Sequence, residues 1–461
     1  MMTNELPQGW IERPLELVLD QIVGGGTPSK SNAAYFQGEI PLMTVKDMKV
    51  SRPSSTGFNI TERALEDSSA KLVPAGTIVI ATRMGLGKVV RPKMDTAINQ
   101  DLKAIFPSKG LNTSYLEWWL LSIASKIEAM GTGTTVKGVR LSEIRALEIP
   151  VAPLPEQERI VEKIETLFAE LDKGEEALRE VQKLLARYRQ SVLKAAVTGA
   201  LTADWRKANG KRTETGQDLL ARILKQRRET WQGRGKYKEP IQPELGDRSE
   251  LPIGWIWANG NQLFSWSSGK FLPNKKQSIG EVPVFGGNGV NGHHDEPLID
   301  EATLVVGRVG AHCGNVHLTN GPSWVTDNAI YATSLPIDCS LPFLVLAFRS
   351  AKLGEKSKGG AQPFVNQDGL NSTLIALPPA EEQIEIFFRF HDASTYIESV
   401  TSACYKELRR SKALRQSILK DAFSGKLVPQ DPFDEPAEKL LERIRASRSD
   451  KPKATRRRAS A

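Results

Sequence analysis

The chain repeats itself. Leu6-Pro7-Gln8-Gly9-Trp10-Ile11 returns as Leu251-Pro252-Ile253-Gly254-Trp255-Ile256, and the stretch Arg189–Ala196 returns as Arg415–Ala422. Glu156-Gln157 pairs with Glu382-Gln383, and Gly199 with Gly425, at the same offset as that second match and without a gap. The opening motif repeats at a larger offset, so the first copy carries extra residues between opening and helix. Two long units are not a solenoid, which stacks three or more short ones. The order is a globular part, then a helix, twice over. A length of 461 residues exceeds one ordinary core and agrees with this division.

Each globular part reads as β-rich. Thr77–Thr82 and Thr303–Gly307 are short β-branched runs of strand type. Each runs into a turn with an arginine and glycines, Arg83-Met84-Gly85-Leu86-Gly87-Lys88 and Arg308-Val309-Gly310-Ala311-His312. The glycine-rich stretches Gly24–Gly26 and Gly286–Gly292 read as loops.

The helical parts have clearer signatures. Leu154-Pro155-Glu156-Gln157-Glu158 is a helix start, with proline suited to the first turn and acids complementing the dipole. From there Ile160, Ile164, Leu167, Leu171, Gly174, Leu178, Val181, Leu185, Tyr188, Val192 and Ala195 alternate four and three residues apart. That is a heptad seam, broken only by Gly174, on a rod of roughly 50 Å. The second copy spaces Ile386, Phe390, Ala393, Ile397, Val400 and Cys404 in the same way. Its seam is read as failing at Glu407 and Ser411 and resuming at Leu414 and Ile418. Two matched stripes in one chain favour a mutual, antiparallel pair over two helices each packed on its own domain.

The expected class is α+β: two tandem β-rich domains separated by two long antiparallel helices that form a coiled-coil spacer, in an internal pseudo-repeat. The boundaries drawn are a β-rich domain over 1–151, the first long helix over 152–203 and a basic connector over 204–250. A second β-rich domain follows over 251–376, then the second long helix over 377–427 and a C-terminal segment over 428–461. The connector holds a short amphipathic helix around Leu219, Leu220, Ile223 and Leu224. The C-terminal segment repeats that theme at Leu440, Leu441 and Ile444, then ends in the basic run Lys451–Arg458, for which disorder is expected.

Several function classes fall away. No apolar window reaches membrane-spanning length, and the opening residues have neither a basic start nor an apolar run. Cys313, Cys339 and Cys404 form no CxxC and suit a reducing compartment. Gly85-Leu86-Gly87-Lys88-Val89 lacks the upstream glycine and the hydroxyl of a phosphate-binding loop. Gly131–Thr135 precedes no long helix and reads as a flexible loop. An amino-methylating enzyme would carry an N/D-P-P-aromatic tetrapeptide, and Asp431-Pro432-Phe433 is one proline short. His293, His294, His312, Cys313 and His317 fall in one stretch, but without the paired close ligands of structural zinc. They are taken as loop and strand residues, so no catalytic, cofactor-binding or metal site is assigned.

What remains is binding. A net charge of +8 permits a polyanionic partner. Glycine lets a backbone approach phosphate, and Arg, Asn and Gln can read base edges with paired hydrogen bonds. The loop candidates are Lys30, Arg83, Lys88, Lys137 and Arg140 in the first copy. In the second they are Lys270, Lys275, Lys276, Arg308, Gln362, Asn366 and Gln367. A lone cation on a loop is usually just solvated. The duplication carries the case, because two divergent readers on one rod would contact two separated half-sites in fixed register.

The ordered set resembles the specificity subunit of type I DNA restriction-modification systems. The residues that carry the resemblance are the paired Gly-Trp openings, Gly24–Ser29 and the strand–arginine–glycine turns. The helix starts Pro153–Gln157 and Pro378–Gln383 and the helix ends Ser191–Gly199 and Ser417–Gly425 complete it. The segment after Leu440–Ile444 is similar to that of enteric-type members. The resemblance implies that each globular part is a target recognition domain for one half of a bipartite double-stranded DNA site. It implies that the helices set the gap between half-sites and dock two modification (methyltransferase) subunits, joined by two ATP-dependent restriction subunits. S-adenosylmethionine, ATP and magnesium would then belong to those partners, with none in this chain. The implied location is the bacterial cytoplasm, on the nucleoid. The competing readings are a stand-alone enzyme, for which no cofactor motif is present, and a coiled-coil scaffold that binds nucleic acid without sequence preference.

Overall fold

The computed structural model describes residues 6–133, 137–209, 214–231, 235–246, 250–277, 280–356 and 364–449. The basic run Lys451–Arg458, Gln362, and Thr134 and Thr135 of the glycine–threonine loop lie outside the described residues. The chain divides into two compact units, Met1–Leu178 with Lys406–Ala461, and Arg179–Tyr405.

Unit 1 is built on short strands, of which Ile78–Ala81, Val89–Val90 and Thr96–Ile98 are buried throughout. One antiparallel sheet runs Leu19–Gly24, Leu102–Pro107, Ile78–Ala81, Val89–Val90 in spatial order. A second runs Asn59–Ile60, Ile40–Met43, Thr96–Ile98, Lys71–Val73, with Ile40–Met43 and Thr96–Ile98 parallel. A two-stranded ribbon pairs Ile11–Pro14 with Glu148–Val151.

Unit 2 repeats this plan. Its antiparallel sheet runs Ser265–Ser268, Ala329–Ser334, Leu304–Gly307, Val316–Leu318. A second sheet runs Gly289–His294, Val282–Gly286, Trp324–Val325, the last pair again parallel. Its ribbon pairs Ile256–Asn259 with Leu374–Leu377. Gly286–Gly292 is therefore a tight hairpin between two strands rather than a loop, since its glycines sit on the ladder itself. The fold is two β-rich domains with long helices on one plan, except that among the described residues the second sheet has a fourth strand, Lys71–Val73, in unit 1 alone.

The first long helix is Leu154–Thr198, of 45 residues or about 68 Å of rod. The second, Ala380–Ala422, has 43 residues. Both are closed by a glycine in the left-handed region, Gly199 at φ 76° directly after the first helix and Gly425 at φ 70° three residues after the second, which explains why these two glycines repeat. The shared Gly-Trp and Glu-Gln pairs meet at the helix starts. Trp10 Nε1 donates to Glu156 Oε2 and Trp255 Nε1 to Glu382 Oε2, each at 2.9 Å. Gln157 accepts from the Asn112 amide at 2.9 Å and donates to the Ala152 carbonyl at 2.8 Å. Gln383 does the same with Ser340 and Pro378, at 2.9 and 3.0 Å. All four Glu and Gln side chains are buried, so each repeated pair fastens a β-rich part to its own helix.

The helix seam departs from the apolar reading in its middle stretch, between 174 and 188 on the first helix and between 407 and 414 on the second. Ile160, Ile164, Val192, Ile386, Ile397 and Ile418 are buried, and Leu167, Leu171, Leu178, Leu185, Phe390 and Val400 are half-buried. Val181, Tyr188 and Leu414, however, are exposed. The buried row passes instead through Glu175 and Gln182 on the first helix, and through Leu408, Ser411 and Arg415 on the second. Those positions keep the seven-residue spacing but are mostly polar, so a count of apolar residues steps past them to the next apolar neighbour. Gly174 is exposed, a β-carbon there would meet nothing within 4 Å, and it lies off the seam. In unit 1 Arg415 bonds Asp172 at 2.7 Å and Glu175 at 3.1 Å, while Ser411 donates to Glu175 at 2.8 Å. Unit 2 has Arg189 paired with Glu398 at 3.0 Å. Within each unit the two helix segments run antiparallel.

Each unit borrows a helix from beyond its long helix. Gly216–Glu229, capped by Thr215 and Asp218, inserts Leu219, Leu220 and Ile223 into the core of unit 2. Ala437–Ser449 inserts Leu440, Leu441 and Ile444 into the core of unit 1. No helix among the described residues is long and apolar enough to cross a membrane.

Candidate nucleic-acid interface

In unit 1 three backbone segments converge. The Gly26 amide bonds the Ile98 carbonyl at 3.0 Å, and Thr27 Oγ1 donates to Gln100 Oε1 at 2.6 Å. The Thr82 amide bonds the Asp101 carbonyl at 2.9 Å, and the Val139 amide bonds the Thr82 carbonyl at 2.9 Å. The loop of Gly24–Lys30, the turn of Asn99–Asp101, the hairpin tip of Thr82–Lys88 and the return at Gly138 are thus tied in series.

Unit 2 ties the same series. Lys270 bonds Val325 and Gly269 bonds Ala329, at 2.9 and 3.0 Å. Arg308 bonds Asn328 at 2.9 Å, and Val365 returns to the Arg308 carbonyl at 2.9 Å. The isolated bridges Arg83↔Gly138 and Val309↔Phe364 complete the match. Those bridges correct an alignment made on the arginines: Arg83 stands where unit 2 has Val309, and Arg308 stands where unit 1 has Thr82. Side chains alternate faces along such a segment, so the two arginines serve different places in their loops.

The glycine runs have an internal explanation. A β-carbon on Gly25 would collide with the Ile98 carbonyl, and one on Gly269 with the Thr326 carbonyl. The backbone approach that glycine permits is used here by the protein's own chain.

The structure brings several of the sequence candidates together. Lys30, Arg83, Lys88, Lys137 and Arg140 are exposed on the converging segments of unit 1. Arg83 lies 3.7 Å from Asp101. Arg140 also starts the short helix Leu141–Arg145, its amide bonding Glu143 at 2.7 Å. In unit 2 Lys270, Arg308, Asn366 and Gln367 are exposed on the equivalent segments, Asn366 capping the helix Gln367–Asn371 through its side chain. Lys275 and Lys276 are exposed on a separate turn, Asn274–Lys276, and Lys276 lines a small hollow with His294, Asp295 and Glu296.

Other residues stand at this place besides the loop candidates. Lys103 donates to the Gln100 carbonyl at 3.0 Å; burial pulls its ammonium below the usual lysine range, Asp101 opposes that, and Arg83 adds to it. Met84, Phe271, Val309 and Phe364 are exposed apolar side chains on these loops. Their signal in the sequence is an apolar residue flanking the turn glycines, where a solvated loop would carry polar ones.

The histidine cluster is spread out. His294 Nδ1 lies 2.7 Å from Asp295 and its ring meets Trp324 edge-on, whereas His317 Nε2 faces the Gly287 carbonyl at 3.4 Å. Among the described residues no three His, Cys, Asp or Glu side chains gather where a metal ion could sit.

The model of the type I restriction modification DNA specificity domain matches this chain twice, over residues 7–180 and 260–408. The specificity subunit of the type I restriction enzyme EcoKI from Escherichia coli is 24% identical over 475 residues, spanning 97% of either chain. A chain solved in a study of complex assembly and conformational transition of the type I R-M system superposes with a TM-score of 0.63 at 18% identity. That match covers 92% of this chain and 99% of the other. The HsdS subunit from Thermoanaerobacter tengcongensis gives a TM-score of 0.54 at 18% identity, covering 91% and 98%. At such identities the structural likeness speaks to the fold.

Proposed function

The chain belongs to the type I restriction modification DNA specificity family, and on that premise we propose that its two β-rich parts each read one half of a bipartite double-stranded DNA site. A specificity subunit works within a restriction-modification complex and on DNA. The observation that carries the two-reader assignment is the tied loop series, built twice on one hydrogen-bond plan with different side chains at matching places. A common scaffold with divergent tips suits two readers of different sequence.

In this reading the cations on the loops take phosphates and fix register, while polar and apolar side chains beside them meet base edges. The long helices keep the readers at a set separation and offer their outer faces to two modification subunits. Two restriction subunits join that assembly. Adenine methylation with S-adenosylmethionine, including extrusion of the target base, belongs to the modification subunits. ATP- and magnesium-dependent translocation and cleavage belong to the restriction subunits. This chain supplies the address, and the complex acts on DNA in the bacterial cytoplasm.

Methylation mapping of DNA from cells with and without the chain, its partners present in both, tests this reading. A two-part motif methylated only when the chain is present is the expected result. Binding by the assembled complex that scrambled competitor DNA displaces as well as target DNA would refute sequence-specific recognition and favour a non-specific scaffold.

A further inference from the structure

The hairpin tips of the tied loops expose apolar side chains. Met84 is 61% exposed, and its backbone lies at φ 55°, a left-handed conformation that a side chain enters only at steric cost. Gly310 holds the equivalent place in unit 2 at φ 79°. The loop therefore demands a backbone that glycine adopts freely, and unit 1 puts methionine there. In unit 2 the apolar tip is one step away: Val309 and Phe364, 38% and 45% exposed, face each other across their bridge.

The surroundings say what these tips meet. Arg83, beside Met84, is half exposed, and Lys88 and Lys137 on the same hairpin and its return are exposed. Arg308 and Lys270 stand exposed on the tied segments around Val309. An apolar knob rimmed by cations fits a polyanion that carries apolar groups between its charges. In the major groove of DNA the one such group is the thymine 5-methyl.

We propose that Met84 in unit 1 and the Val309–Phe364 pair in unit 2 determine specificity by gripping thymine 5-methyl groups, each in the half-site its own unit reads. This rests on the two-reader assignment above. The thioether of Met84 is flexible and polarisable enough to close on a methyl group without a preset pocket.

The assembled complex is titrated with duplexes of its mapped site in which each thymine in turn is replaced by uracil, which removes only that methyl. The native chain loses about fourfold in affinity at one thymine of the unit 1 half-site, the worth of one buried methyl. Met84→Gly and Met84→Ala complexes bind the thymine and uracil duplexes alike. Met84→Gly suits the loop backbone, so lost discrimination with an undiminished melting temperature separates contact from misfolding. Val309→Ala with Phe364→Ala abolishes discrimination in the other half-site alone. Equal responses of the native and Met84→Gly complexes at every thymine, or a unit 1 half-site that contains none, overturn the proposal. Failure of the two-reader assignment looks different: the native complex itself then shows no two-part site.

Discussion

Trp10 donates its indole N–H to the buried carboxylate of Glu156 at 2.9 Å, and among the described residues the other oxygen of that carboxylate has no hydrogen-bond partner. The twin contact in unit 2 is better supported. Besides Trp255, Glu382 accepts from Thr202 at 2.7 Å and pairs with Arg206, which also bonds the Gly199 carbonyl at 2.6 Å. Trp10→Phe leaves a buried carboxylate bare and is expected to cost unit 1 about 2 kcal/mol. Trp255→Phe leaves Glu382 with Thr202 and Arg206, so its cost to unit 2 is smaller. Hydrogen exchange in the full chain, read separately over the two units, measures both.

Acid acts on this asymmetry. Burial holds the Glu156 carboxyl above its ordinary range, with the Trp10 hydrogen bond pulling the other way. As pH falls through the raised native value towards the ordinary one, the folded state takes up a proton that the unfolded state does not. Unit 1 therefore gains stability in that window and loses it again as pH rises. Glu156→Gln removes this dependence and makes unit 1 no less stable at neutral pH. Glu382→Gln takes the charge from beside Arg206, which is only 20% exposed and keeps the Gly199 carbonyl, and is expected to cost unit 2 about 2 kcal/mol. Exchange protection of each unit against pH, for the native chain and both variants, gives the comparison.

The polar seam makes its own prediction. Removing either Glu175 or Arg415 alone breaks a half-buried pair while Asp172 still faces Arg415 and Ser411 still donates to Glu175, with an expected loss of about 1–2 kcal/mol. Replacing both by leucine restores an apolar seam and is expected to be neutral or stabilising. A double-mutant cycle by urea unfolding would show a strong favourable coupling between the two positions; additive losses would contradict the pairing.

If the helices set the gap, taking one heptad from each shortens it without turning the seam. Deleting seven residues inside Leu178–Tyr188 and seven inside Ile397–Leu408 removes about 10 Å of rod, close to three base pairs. Methylation mapping is expected to return a shorter gap or no methylation. An unchanged motif would show that the helices are not the ruler.

The parts of this fold legible in the sequence are those that duplication or apolar period writes twice. The Gly-Trp and Glu-Gln pairs repeat because they hydrogen-bond to each other, and Gly199 and Gly425 repeat because each ends a helix. The seam was half legible: Ile164, Leu171 and Leu178 lie on it, but Glu175, Gln182 and Arg415 are polar and leave no trace in a hydrophobic count. The loops were least legible. Aligning Arg83 with Arg308 misses the true register by one residue, because backbone hydrogen bonds and not side chains set the equivalence. Met84 is apolar and carries no charge to mark it in the sequence, and its left-handed backbone shows only in three dimensions.

The central claim meets its most direct test in an exchange of readers. Residues 251–376 are replaced by the corresponding domain of a relative with a different methylation motif, and the sites methylated by the assembled complex are mapped. One half of the motif should change to the donor's, while the other half and the gap between them stay as they were. A change in both halves, or in neither, would contradict independent reading by two units.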